Sequence, residues 1–148
     1  MERRVGTVLG QVSRLMRRAF DERAREIGVT RPQWQVLGVL RRYEGIRQAG
    51  LAEILEVEPI TAGRMIDRMQ DAGLVERRAD PSDRRAWNLH LTRRGDEMIE
   101  RLQPLAIETS EEALAGVSDA DKAQLLATLE TILGNLTGKP ATSDPLDS

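Results

Sequence analysis

Arginine supplies most of the chemistry available to this chain. Of its 22 basic residues 20 are Arg, whose planar guanidinium fork matches phosphate and the guanine edge as lysine cannot. Two groups stand out by spacing. Thr61, Arg64 and Arg68 recur at three- and four-residue intervals in PITAGRMIDRM, with Gly63 between them, and Asp83, Arg84 and Arg85 stand side by side in ADPSDRRA. Nucleophilic and metal chemistry lack their residues. There is no Cys, hence no thiolate, iron–sulfur cluster or disulfide, and His90 is the only histidine, with no second one for a metal pair. Neither a glycine-rich phosphate loop nor a nucleophile elbow occurs. No catalytic residue, metal or cofactor is expected.

The charges are unevenly spread. The 148 residues carry 22 Lys+Arg against 24 Asp+Glu, a formal net charge of −2, which at first sight disfavours a polyanionic partner. Residues 1–94, however, hold 19 basic and 13 acidic side chains (net +6), while residues 95–148 hold 3 and 11 (net −8). Both arginine groups lie in the basic part. The length suits one compact domain, or two subdomains sharing a core. The opening MERRVGTVLGQVSRLMRR is broken by Gly10, Gln11 and Arg14, so neither a signal peptide nor a membrane span is expected. The expected location is the cytoplasm.

The elements that must position these arginines follow from periodicity. Apolar residues from Val8 to Phe20 at helical spacing predict a long amphipathic helix over 5–27, ended by Gly28. Thr30 and Pro32 read as an N-cap and early proline of a second helix through Trp34, Val36, Leu37 and Leu40. Gln48–Leu55 is a short third helix. Pro59 opens a fourth, with Ala62, Met65, Ile66 and Met69 on its apolar side and Gly73 beyond its end. The period then changes: 74–78 and 87–91 read as strands, and Asp80-Pro81 with Ser82-Asp83 make the turn between them. Thr92 caps a long helix that Pro104 should kink, and Ser118 with Asp121 resembles a capping box for a last helix through Leu136. Residues 138–148 read as a disordered tail.

The expected fold class is therefore mainly α with a small β-hairpin, laid out as a winged helix-turn-helix module with flanking helices. A helix fits the DNA major groove and its first turn reaches base edges. Burial of its apolar side leaves Ile60, Thr61, Gly63, Arg64, Asp67 and Arg68 outward. Gly63 would permit close approach, Thr61 could meet a phosphate or thymine methyl, and Arg64 could grip a guanine edge. Arg84 and Arg85 stand where a wing would enter the minor groove, whose negative potential attracts arginine. The alternatives are a solvated helix face and a plain charged turn.

These segments also carry a resemblance. LAEIL, PITAGRMIDRM, AGLVERR, DRRA and LTRRG, in that order and spacing, resemble the MarR family of dimeric winged-helix regulators, nearest its SlyA-like branch. The likeness covers roughly residues 10–100. It implies groove contacts by Thr61, Arg64 and Arg68, and a wing arginine at Arg85 oriented by Asp83. It implies a homodimer built by residues 1–30 and 95–137, with 31–94 as the DNA-binding module of a repressor on double-stranded DNA. It further implies release by a small aromatic carboxylate or phenolic effector in a cleft matching Arg14, Arg17 and Trp34. For Trp34 the competing reading is a core aromatic, and for Arg14 and Arg17 surface salt bridges. Trp87 departs from the pattern, since relatives often have a basic residue there. The rival function is a winged-helix protein–protein adaptor that does not read DNA.

Overall fold

Side-chain caps at Thr30, Thr92 and Ser118 mark where three of the helices begin. In the computed structural model, which describes residues 2–138, the first helix, α1, spans Glu2–Glu26. Gly28 then adopts φ +81. Thr30 Oγ1 accepts the Gln33 N–H while the Gln33 side chain accepts the Thr30 N–H, a reciprocal capping box that opens α2, Arg31–Arg42. The third and fourth helices, α3 (Gln48–Leu55) and α4 (Pro59–Asp71), lie a few residues apart. Glu56 makes the turn between them by taking a left-handed conformation, φ 55, and the Val57 N–H reaches back to the Ala52 carbonyl at 3.0 Å.

Two antiparallel strands follow, β1 (Val75–Ala79) and β2 (Trp87–Leu91), with Val75 opposite Leu91 and Ala79 opposite Trp87. The first strand starts one residue later than the sequence pattern suggests. Residues 45–47 add an edge that periodicity does not reveal: Gly45 donates to the Leu89 carbonyl, Leu89 donates to the Ile46 carbonyl, each at 2.9 Å, and Arg47 bridges to Asn88. Thr92 Oγ1 accepts the Gly95 N–H and donates to the Gly73 carbonyl, starting α5, Arg93–Ala113, which runs without interruption through Pro104.

The chain forms two compact units, up to Thr109 and from Ser110 onward. The core of the first brings together Leu37 and Leu40 of α2, Leu51 of α3, Ile66 and Met69 of α4, Leu89 of β2 and Leu102 of α5. Each contributes one apolar stripe, and burial of such a side chain stabilises by about 1.5–3 kcal/mol. The second unit contains α6, Asp119–Thr137, where Ser118 Oγ accepts the Asp121 N–H and Gly138 ends the helix at φ 70. The tail expected to be disordered lies, from residue 139 on, outside the described residues. Among the described residues no helix is long and apolar enough to cross a membrane.

One close approach fixes where α5 starts. A Cβ at Gly95 would stand 2.2 Å from the Leu74 carbonyl oxygen, whereas one at Gly38 in α2 would meet nothing within 4 Å. Gly95→Ala is expected to lower the unfolding free energy by about 1–3 kcal/mol through a forced backbone shift. Gly38→Ala should be neutral or raise it by up to about 1 kcal/mol. Denaturant titration of the two variants checks this, and equal midpoints would contradict the close approach.

Candidate nucleic-acid interface

The fourth helix buries Ala62, Ile66 and Met69, which leaves Thr61, Arg64, Asp67 and Arg68 exposed. Met65, expected in the core, is only half-buried, because it lines a groove of about 200 Å³ with Thr30, Pro32, Gln33, Arg68 and Met69. Gly63 also leaves room for α3, since a Cβ there would sit 3.2 Å from the Gln48 amide nitrogen.

The side chain that joins the helix to the wing is Arg77 of β1, which no spacing rule singles out. Its Nε and Nη2 donate to Gln48 Oε1 at 3.3 and 3.1 Å, Nη2 to the Gly63 carbonyl at 3.2 Å and Nη1 to Gln70 Oε1 at 2.9 Å. Nη1 also stands 2.7 Å from Asp67 Oδ1. Asp67 is the carboxylate beside Arg64 and Arg68 on α4, so this pairing neutralises an acid on the exposed face. A signal existed in the sequence: in the pair Arg77-Arg78, neighbours on a strand point to opposite faces. One therefore had to turn toward the helices. Arg78 is the outward one, paired with Glu76 at 2.8 Å.

The hairpin tip is held from within. Asp80 Oδ1 accepts the Ser82 N–H and hydroxyl, each at 2.8 Å, and the Asp83 N–H at 3.2 Å. Arg47, at the start of α3, reaches Asp80 Oδ2 at 3.2 Å and Asp83 Oδ2 at 3.8 Å. The Ser82 hydroxyl and amide, and then Arg47, hold the Asp80 carboxyl down at about 2. Asp83 was expected to orient the Arg85 side chain. Its carboxylate instead accepts the Arg85 main-chain N–H at 2.9 Å and faces Arg47, so it shapes the turn. Arg84 and Arg85 are exposed. Among the described residues the side chains of Arg64, Arg68, Arg84 and Arg85 have no hydrogen-bond or ion-pair partner. Trp87, 51% exposed at the wing base, borders an open groove of about 530 Å³ with Gln48, Gln70 and Arg77.

Arg14, Arg17 and Trp34 do not line the two grooves described above. Trp34 packs edge-on against Phe20, ring centres 5.0 Å apart, and its Nε1–H donates to Asp21 Oδ1 at 2.8 Å. Arg31 grips the other oxygen of Asp21. Burial pushes the Asp21 carboxyl up, but the hydrogen bonds from Arg31 and Trp34 and the charges of Arg31 and Arg25 outweigh it and leave the group below its usual range. Trp34 is thus half-buried and packs against the edge of the core. Arg14 and Arg17 lie exposed on α1.

Comparison with known proteins places this geometry. A model described as MarR family matches residues 27–86. A transcriptional regulatory protein for the hcr operon of Thauera aromatica is 27% identical over 144 residues, covering 92% of this chain and 87% of the relative. The solved transcriptional regulator PA3341 is 32% identical with TM-score 0.77, covering 91% of this chain and 99% of its own. A cysteine-to-serine variant of E. coli MarR complexed with operator DNA is 26% identical with TM-score 0.74, covering 87% and 93%.

Two outcomes test the internal clamps. Arg77→Met removes the charged donor from Gln48, Gln70, Asp67 and the Gly63 carbonyl, and should lower the unfolding free energy by about 1–2 kcal/mol after allowance for solvent screening. A wild-type denaturation curve for Arg77→Met would refute the clamp. Because the Asp80 carboxyl is depressed, its contribution to the turn is complete above its ordinary value of 3.8 and is lost as pH falls through about 2. Ser82→Ala should raise the Asp80 midpoint toward 3.8 in a carboxyl NMR titration. An unmoved midpoint would remove Ser82 as the main cause.

Proposed function

The chain belongs to the MarR family of transcriptional regulators, and from that premise we propose that it is a homodimeric repressor that binds a pseudo-palindromic operator. The observation that carries this reading is the division among its arginines. Arg47, Arg77 and Arg78 are paired within the wing and its supports, while Arg64, Arg68, Arg84 and Arg85 have no side-chain partner among the described residues at the two places a groove would meet. In this reading α4 enters the major groove. Arg64 pairs with a guanine edge, Thr61 and Arg68 meet phosphate or sugar, and Arg84 and Arg85 reach the adjacent minor groove. Asp83 acts indirectly, by holding the tip.

The dimer is supported by the terminal helices. Val5, Val8, Val12 and Leu15 form an exposed stripe on α1 at coiled-coil spacing, and Leu125, Leu126, Leu133 and Leu136 are exposed on α6. Exposed apolar residues clustered on a helix in this way mark an association site. A second copy covers both faces and sets two recognition helices about one turn of DNA apart.

The test uses a duplex site selected from a random pool by the wild-type protein, with the oligomer followed by sedimentation equilibrium. Wild type should sediment at twice the chain mass of 16.6 kDa. Arg64→Ala should relax selectivity at one position per half-site, a loss of about 1–3 kcal/mol in discrimination. Arg85→Ala should instead weaken binding evenly across sequences and reduce the salt slope by about one per subunit. If neither change alters binding, or no sequence is preferred over random duplex, the regulator reading gives way to a protein–protein adaptor.

A further inference from the structure

The exposed face of α4 carries one large apolar side chain. Ile60, in the first turn, is 65% exposed. At roughly 100° per residue, the buried Ala62, Ile66 and Met69 define one side of the helix, and Ile60 falls near the opposite meridian, one turn before Arg64. It is therefore no fringe of the core. Helix propensity does not account for it either, because a β-branched residue is a poorer choice than Ala, Glu or Arg at a solvated helical site. Its surroundings on this face are polar: Thr61 is exposed, Arg64 has no partner and Asp67 is held by Arg77.

We propose that Ile60 is a specificity-determining residue that reads the C5 methyl group of a thymine next to the base pair met by Arg64. The inference rests on the reading of α4 as the groove-entering helix and adds a base preference to it. Along the major-groove floor the thymine methyl is the one apolar group that projects from a base edge, and the other groups that distinguish the base pairs there are hydrogen-bond donors or acceptors. A branched hydrocarbon with no hydrogen-bonding atom gains only against that methyl and loses against a donor or acceptor it strips of water. Thr61, with one methyl and a hydroxyl, is better suited to phosphate. Arg64 and Ile60, stacked one turn apart on α4, thus read adjoining positions by different chemistry.

The probe is the selected duplex described above, with each thymine of the half-site replaced in turn by uracil, which removes the methyl and keeps the pairing. At one symmetric thymine per half-site, wild type should lose about fourfold in affinity per methyl removed, the loss expected for one buried carbon. Ile60→Ala should bind the original duplex more weakly and be indifferent to uracil at that position. Its salt slope, its response at other thymines and its thermal unfolding should match wild type. Retention of the same uracil penalty by Ile60→Ala, or no penalty at any thymine in wild type, overturns the assignment of Ile60 while sequence-selective binding stands. Failure of wild type to prefer any duplex overturns the regulator reading, and this inference with it.

Discussion

Arg77 keeps only 19% of its side chain exposed, and all three of its nitrogens are engaged, with partners at the start of α3 and at three successive turns of α4. A strand pair of five residues each cannot hold its own direction in water. What aims this wing is a planar fork whose donors have fixed relative geometry, so that a rotation of β1 about its axis would break several bonds at once. The same fork pairs with Asp67 and occupies the Gly63 carbonyl beside the Gln48 amide. Gly63 is glycine for this reason: a side chain there would push on Gln48, and Gln48 is one of the acceptors that hold Arg77.

Carboxylates complete the division of charge. Asp67, Glu76, Asp80 and Asp83 sit among the arginines of the basic segment, and each is paired internally with Arg77, Arg78 or Arg47. An acid left free at the tip would weaken any phosphate contact by Arg84 or Arg85. Instead Asp80 is saturated by Ser82 and Arg47, and its low proton affinity, about 2, keeps that turn formed at any pH near neutrality. The net charge of −2 therefore says little about what this surface attracts. The unpaired cations are what a polyanion would meet.

Order and type of elements were legible in the sequence where local rules act: Thr30 with Pro32, Pro59, Ser118 and the glycines Gly28 and Gly73. The exposure of Arg64 and Arg68 was legible too, since an apolar stripe fixes its own opposite face, and that of Arg84 and Arg85 because the turn between two short strands is exposed. What escaped depends on contacts between distant segments. The strand edge at 45–47 is too short to show alternation. That Asp83 faces Arg47 as well as Arg85, and that Gly63 lies against Gln48, no local pattern reveals. Met65 fits the helical stripe, yet stands at the edge where the groove beside Thr30 opens.

The joint between α1 and α2 depends on a different balance. Asp21 is a buried carboxylate, and a buried charge persists only while its partners do. Arg31 and the indole of Trp34 supply them from α2, and Phe20 packs on the indole edge. Removing either partner would leave a desolvated charge, so α1 and the start of α2 are constrained to move as one piece. In the proposed dimer this makes the joint part of the reading apparatus. If α1 carries the association surface, the angle fixed at Asp21 helps set how far apart two α4 helices stand. A spacing of one turn of DNA leaves little tolerance for a loose joint, and a polar lock of fixed geometry meets that demand better than an apolar contact able to slide.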